Sequence, residues 1–178
     1  EMEKASKELD YEKAAIARDR IKALTQIQTS QKINQTNLSE ADVISIYKET
    51  GKTCIQVFFF RSKQNWGNQA FYPKHDTDDK IEEILSSFLP QFYENKTIPS
   101  LILTNVETNE KKLLEKTFSL KENKQIAIKK AKAKNELSIS KLAEKNAKQA
   151  LKQKLIQSDT NNNLIDSLAA KFNLNSNL

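Results

Sequence analysis

The sequence predicts an α+β protein, in which an N-terminal antiparallel helical hairpin at residues 1–33 precedes a domain with a mixed β-sheet at residues 42–156. Three observations support this prediction. Apolar and small residues recur at helical spacing near the start of the chain. Three strand-like segments with short connections begin at residue 43, which indicates an antiparallel meander. Beyond them, helical and strand-like segments alternate up to residue 155.

The hairpin is predicted from two apolar stripes. Met2, Ala5 and Leu9 mark a short first helix, and a second begins after Asp10, whose carboxylate can cap its free N–H groups. The second stripe consists of Tyr11, Ala14, Ala15, Ala17, Ile21, Leu24 and Ile27. About 30 residues bury too little apolar surface to be stable alone. We therefore expect the stripe to need a partner, which is the rest of this chain, a second copy or another protein's hairpin.

The meander follows a polar linker at residues 34–41. Its first strand begins at Val43. The second strand covers residues 54–60, and its two apolar faces indicate a central position in the sheet. The third strand covers residues 66–72 and ends at Pro73.

The cleanest amphipathic helix of the chain comes next. Residues 76–79 open it, with Thr77 or Asp78 as its cap, and its apolar stripe covers residues 81–92. Pro90 falls inside this pattern and is expected to kink or end the helix.

The rest of the chain alternates between strand and helix. A fourth strand around residues 98–103, a helix at residues 108–118 and a fifth strand at residues 126–128 are predicted. A long helix with a Lys-rich outward face follows, and residues 157–178 are predicted to be a polar spacer with a weak helix. The inward stripe of the long helix is Ile139, Leu142, Ala143, Ala147, Ala150, Leu151 and Leu155. The element order βββαβαβα matches the ribonuclease H-like fold, by analogy of topology alone.

That fold raises the hypothesis of a nuclease. Its enzymes hold two divalent metals with carboxylates on the first strand, the first helix and the end of the fourth strand. Here the middle of the first strand is Ser45 and Ile46, with Asp42 before it, and the fourth strand ends in Thr104 and Asn105. The metal cluster is therefore predicted to be missing.

Isolated reactive groups give no catalytic set either. His75 is the single histidine, and the acids near it are typical of helix caps. Cys54 lies on an apolar strand, as a small core residue does. Glu82 and Glu83 on the helix have no evident partners. We therefore expect no catalytic residue, no metal site and no cofactor in this chain.

Length and composition limit the classes of protein to which the chain can belong. The 178 residues suffice for one ordinary domain plus the hairpin. No apolar run approaches the roughly 18 residues of a transmembrane helix, and the start lacks the pattern of a signal peptide, so we expect no membrane association. A single cysteine fits a reducing cytoplasm. The first residue, Glu1 rather than Met, suggests a fragment.

The net charge of +6 comes from one segment. Residues 121–154 contain 11 lysines against three glutamates, whereas the rest of the chain is nearly balanced. Such a block favours a polyanionic partner. The alternative interpretation is a solvated helical face.

The N-terminal run resembles the UVR motif, in which a Met and an Ala precede L-x-[FY]-E-x-A-A-x-x-R-D-x-I. The matching positions are Met2, Ala5, Leu9, Tyr11, Glu12, Ala14, Ala15, Arg18, Asp19 and Ile21. The motif implies a helical hairpin that docks on a similar hairpin. It occurs in the excision-repair helicase UvrB, in the excision-repair nuclease UvrC and in some adaptors of Clp-type ATPases. Such an adaptor would carry a Cys-rich zinc module, which one cysteine excludes.

The second unit resembles the central part of the UvrC family of excinucleases. The resemblance covers nearly the whole chain up to about residue 155. The matching positions are Cys54, Ile55, Arg61, Phe88, Gln91, Phe92, Tyr93, Pro99, Leu142, Ala143, Asn146 and Ala147.

The resemblance implies a non-catalytic segment of a nucleotide excision repair nuclease, whose two nuclease domains lie outside this chain. It implies docking on the C-terminal hairpin of UvrB through Leu9, Tyr11, Glu12, Ala14, Ala15, Arg18, Asp19 and Ile21. For the basic segment we expect phosphate contacts with DNA through Lys129, Lys130, Lys132 and Lys134. The alternative is a free-standing basic DNA-binding or adaptor protein, which only the basic segment favours.

Overall fold

A computed structural model describes residues 11–13, 15–17 and 38–171, with side chains described up to residue 158. Residues 11–13 and 15–17 are helical, as the stripe predicts. The rest of the predicted hairpin at residues 1–33 lies outside the described residues. The elements are β1 (Glu40–Glu49), β2 (Lys52–Arg61), β3 (Gln64–Phe71), α1 (Ile81–Phe92), β4 (Leu101–Thr104), α2 (Lys111–Glu122), β5 (Ala127–Lys130) and α3 (Lys134–Lys171).

The strands form one mixed sheet in the order β3-β2-β1-β4-β5. β1, β2 and β3 form the predicted antiparallel meander, and β4 and β5 run parallel to β1. Ile44 in the middle of β1 pairs with Val57 on one side and with Thr104 on the other. The predicted α+β class, the element order and the ribonuclease H-like fold are confirmed.

Helices cover the two faces of the sheet and make three layers. Alternate residues of each strand point to opposite faces, so β1 contributes to two cores. Ile44 and Ile46 pack with α1 and α2 in the larger core. Val43 packs with Phe58 and with Ile139 of α3 on the opposite face. None of the described helices is long and apolar enough to cross a membrane.

Two predicted boundaries were wrong by a few residues. β1 begins at Glu40, inside the predicted linker 34–41, because Glu40 and Ala41 pair with the last residues of β2. α1 begins at Ile81, and neither Thr77 nor Asp78 caps it. Instead, the carboxylate of Glu83 accepts the backbone N–H of Lys80 at 3.2 Å. Pro90 lies in the last turn of α1, which ends at Phe92.

The predicted spacer at residues 157–178 was also wrong in part, since α3 continues to Lys171. Ser, Asp, Thr and Asn lower helix propensity because their side chains compete for backbone groups, but they do not end a helix as Gly or Pro does. No Gly or Pro occurs between residues 134 and 171. The polar run 158–163 is therefore part of the helix.

Candidate functional site

The most deeply buried acid of the described chain is Asp42, which is 1% exposed. It is the third residue of β1, so the sequence-based placement before the strand was wrong. Its side chain points to the same face as Ile44, toward α1 and α2. One carboxylate oxygen accepts a hydrogen bond from Arg61 Nη1 at 2.7 Å, and the other accepts one from the Tyr93 hydroxyl at 2.7 Å.

Three elements meet at this buried group, because Arg61 ends β2 and Tyr93 follows α1. Burial raises the pKa of Asp42, and the hydrogen bonds from Arg61 and Tyr93 oppose that rise. Burial, followed by the neighbouring carboxylate, holds the pKa of Tyr93 well above its ordinary value, so its hydroxyl remains a donor. Both oxygens of Asp42 are thus engaged by protein donors. The arrangement ties the first strand to its neighbours.

The end of β4 is the second position at which a metal-dependent nuclease of this fold needs an acid. Thr104 ends the strand, and its hydroxyl donates to the Val106 carbonyl at 2.8 Å. The amide of Asn105 accepts the N–H of Ile46 at 3.0 Å and donates to the Ile46 carbonyl at 2.9 Å. This pair continues the hydrogen bonding of β1 beyond β4. Within residues 38–158, no three His, Cys, Asp or Glu side chains cluster closely enough to hold a metal ion.

The isolated reactive groups occupy the surroundings that the sequence predicted. Cys54 is fully buried between the sheet and α3, and burial raises the pKa of its thiol to about 11. His75 lies on an exposed loop, with Nδ1 2.7 Å from the Asp76 carbonyl. Tyr72 and Lys154 lower the pKa of Cys54, but burial outweighs both, so the thiol is held in its unreactive protonated form.

The predicted docking residues lie mostly outside the described residues. This holds for Leu9, Ala14, Arg18, Asp19 and Ile21.

Of the remaining three, Tyr11 and Glu12 are exposed and Ala15 is half-buried. Tyr11 exposes 68% of its surface. The side chain of Tyr11 is therefore not part of the hydrophobic core of the described domain.

The four predicted DNA-contacting lysines are all exposed, but they do not share one surface. Lys129 pairs with Leu103, whose side chain belongs to the core under α3, so it points to the α3 side. Lys130 follows it and points to the opposite face.

Lys132 lies in the connection to α3, and Lys134 begins that helix. The carboxylate of Glu136 accepts the backbone N–H groups of Lys132 and Ala133, both at 3.2 Å. This contact fixes the backbone at the start of α3. The sequence also predicted a Lys-rich outward face of α3 without selecting residues, and the structure places Lys141, Lys145, Lys148 and Lys152 there.

Comparisons with known proteins agree with this architecture. Residues 40–154 match the family model of the UvrC ribonuclease H-like domain, and residues 1–27 match that of the UvrB/UvrC motif. The first match begins at the first residue of β1 and ends inside α3.

Similar proteins include several named UvrABC system protein C. The one from Bartonella quintana is 46% identical over 173 residues, which is 97% of this chain and 26% of that protein. The one from Gluconobacter oxydans is 41% identical over 174 residues, which is 98% of this chain and 27% of that protein. A third, from Bradyrhizobium diazoefficiens, is 42% identical over 174 residues, which is 98% of this chain and 25% of that protein. The chain thus spans about a quarter of the length of these relatives.

The two family matches lie in the order that the sequence predicted and together include most of the chain. The buried Asp42 centre and the five-stranded sheet lie within residues 40–154, which match the ribonuclease H-like domain. The chain belongs to the UvrC family, of which it carries the UVR motif and the ribonuclease H-like domain.

Proposed function

We propose that this chain is the central, non-catalytic segment of a UvrC-type nuclease of nucleotide excision repair. In this role it docks on UvrB through its UVR hairpin and supports the dual incision of damaged DNA. The observation that carries the proposal is the occurrence of a UVR motif at residues 1–27 and a UvrC ribonuclease H-like domain at residues 40–154 in one chain.

The docking step uses apolar and small residues of the hairpin. Tyr11, Leu9 and Ile21 supply apolar contact, while the small Ala14 and Ala15 let two helices approach closely. The exposure of Tyr11 supports this role. Arg18 and Asp19 make reciprocal ion pairs with the partner hairpin across a pseudo-two-fold axis, which adds specificity more than affinity.

The docking proposal is tested by calorimetry of the chain with the C-terminal hairpin of UvrB. The variant combines Tyr11→Ala with Ala15→Glu, which removes the aromatic contact and places a charge in the interface. Ile16→Ala is the matched control. Ile16 is also a largely exposed apolar residue of this helix, at 64%, but it lies off the stripe. Binding lost in the double variant and kept in the control is expected.

The second part of the proposal is that the domain contributes no catalytic groups of its own. The two protein donors on Asp42 support it, because a metal ion would have to displace both. The amide of Asn105 beyond β4 supports it further, since an amide supplies no negative charge for a metal pair. Catalysis of incision then belongs to other parts of the intact protein.

The third part is contact with DNA through Lys129, Lys130, Lys132 and Lys134. Their exposure supports contact with phosphates, which requires no base recognition. Each of these lysines that contacts a phosphate is expected to add about −0.9 to the slope of log K against log salt. A flat salt response would leave these lysines as solvated surface.

A further inference from the structure

We propose that the outward face of α3 is the surface of this domain that binds a nucleic-acid backbone. Five lysines form it, and we call them the lysine row: Lys134, Lys141, Lys145, Lys148 and Lys152. The proposal rests on the proposed function, since it assigns the DNA contact to a specific surface. Of the four lysines selected from the sequence, the row includes only Lys134.

The row is a geometric feature of the helix and not only a basic composition. Successive residues of an α-helix are rotated by about 100°. On that basis the five lysines fall within an arc of about 60°. The buried stripe of Ile139, Ala143, Ala147 and Leu151 occupies roughly the opposite side. All five lysines are exposed, as this placement requires.

One row lysine, Lys148, lies within the electrostatic influence of an acid, Glu49 on β1. No acidic side chain forms an ion pair with a row lysine in the described part of the chain. Glu136 points back to the start of α3, where it accepts two backbone N–H groups. Glu144 is half-buried and lies on the flank of the helix. Lys148 lies 5.2 Å from the centroid of the Tyr47 ring, and Tyr47, followed by the charge of Glu49, raises its pKa.

The length of the row suits a polymeric anion. Lys134 and Lys152 are 18 residues apart, which corresponds to about 27 Å along the helix axis. Phosphates of one DNA strand advance by about 3.4 Å along the duplex, so the row spans about eight of them. Several lysines can therefore contact phosphates at the same time, which is the condition for strong, salt-dependent binding.

The surroundings of the row favour a nucleic acid over an acidic protein. Protein interfaces depend on a cluster of buried aromatic or apolar anchors. The exposed positions beside the row include Ser138 and Gln149, which are polar. Two exposed apolar residues, Leu137 and Ile156, lie near opposite ends of the row and are too far apart to form one patch. The row therefore offers charge without an apolar cluster, as a surface for phosphate contacts does.

Two further exposed lysines precede the start of α3. Lys129 points to the α3 side of the sheet, and Lys132 lies in the connection to that helix.

The test measures DNA binding of the full chain by fluorescence anisotropy. The probes are labelled single- and double-stranded oligonucleotides of about 25 nucleotides, which is roughly three times the number of phosphates that the row spans. The row variant is K141Q/K145Q/K152Q. The matched control is K112Q/K116Q/K124Q, which removes three exposed lysines from α2 and the turn after it, on the other face of the sheet. Both variants lose the same net charge, and circular dichroism checks that both fold.

The row variant is expected to lose at least about tenfold in affinity, with a salt slope smaller by about 2.7, which is three contacts at about 0.9 each. The control variant is expected to keep its affinity within about threefold. Equal losses in both variants, or no loss in the row variant, would overturn the proposal. So would displacement of DNA by polyglutamate at an equal concentration of charge, because the row would then be a surface for acidic proteins.

The same row variant is expected to bind the C-terminal hairpin of UvrB as the unmodified chain does. If the unmodified chain fails to bind that hairpin while the row still controls DNA affinity, only the docking proposal fails. If docking holds and the row variant binds DNA normally, only the lysine row fails. The two proposals are therefore tested separately.

Discussion

The hydroxyl of Tyr93 donates a 2.7 Å hydrogen bond to Asp42, and both residues are about 1% exposed. The bond connects β1 to the end of α1, 51 residues later in the chain. Together with Arg61 it satisfies a buried carboxylate that would otherwise be costly.

Replacement of Tyr93 by Phe is expected to destabilise the domain by roughly 1–3 kcal/mol, because one oxygen of a buried carboxylate loses its donor. Urea unfolding measures the loss. The hydrogen bond lowers the pKa of Asp42 and so favours the ionised form, whereas burial raises that pKa. Tyr72→Phe is the control, since its hydroxyl makes a longer, part-buried contact of 3.3 Å with the Ala150 carbonyl.

The loss from Tyr93→Phe is expected to depend on pH in a defined direction. A carboxyl whose pKa is raised by folding binds more protons in the native state than in the unfolded state, so its contribution to stability falls as pH rises through the native pKa. Above that pKa the carboxylate is charged and needs the donor most. The loss should therefore be larger near neutral pH than in acid, below the native pKa. An equal loss in both conditions would mean that Asp42 is not ionised at neutral pH.

Replacement of Arg61 by Met is expected to lower the free energy of unfolding by about 2–4 kcal/mol. This is less than for a fully buried ion pair, because the Arg61 side chain is 27% exposed. The change leaves the charge of Asp42 without its counterion. Adding Asp42→Asn removes that charge, so the double variant should be less destabilised than the sum of the two single variants. Additive losses in a double-mutant cycle would contradict the direct contact.

Cys54 is expected to resist alkylation in the folded chain. With a pKa of about 11, few molecules carry the reactive thiolate at mildly alkaline pH, and the side chain is fully buried. Labelling with iodoacetamide should be at least about 100-fold slower than in urea, where a thiol of ordinary pKa of about 8.5 is accessible. Rapid labelling of the folded chain would contradict the packing of α3 on β2.

The chain is expected to show no nuclease activity with Mg²⁺ or Mn²⁺, and Asp42→Asn is expected to change nothing in that assay. The physical reason is that Arg61 and Tyr93 occupy both oxygens of the acid on the first strand. Clear cleavage of DNA that disappears in Asp42→Asn would show that this carboxylate binds a metal after all.

Short-range patterns were enough to predict most of the fold. The second strand is apolar on both faces, which indicated a central position, and β2 does lie between β3 and β1. The stripe of α3 was also correct, because Ile139, Ala143, Ala147 and Leu151 are buried. Helix and strand periodicities depend on near neighbours in sequence, so they can be read without the fold.

Contacts between distant residues could not be predicted in the same way. Asp42 meets Arg61 and Tyr93 across 19 and 51 residues, and no local pattern indicates such a meeting. The opposite directions of Lys129 and Lys130 could have been predicted from the sequence. Side chains alternate between the two faces of a strand, so these consecutive residues after Ile128 must point to opposite faces. The lysine row could also have been found by counting helical positions opposite the stripe.

The most direct test of the central claim is the affinity of this chain for the C-terminal hairpin of UvrB, measured by isothermal titration calorimetry. The proposal predicts a dissociation constant in the micromolar range or tighter, with loss of binding in Tyr11→Ala/Ala15→Glu and retention in Ile16→Ala. The absence of measurable binding by the unmodified chain, or binding that survives the double change, would contradict docking through the UVR hairpin.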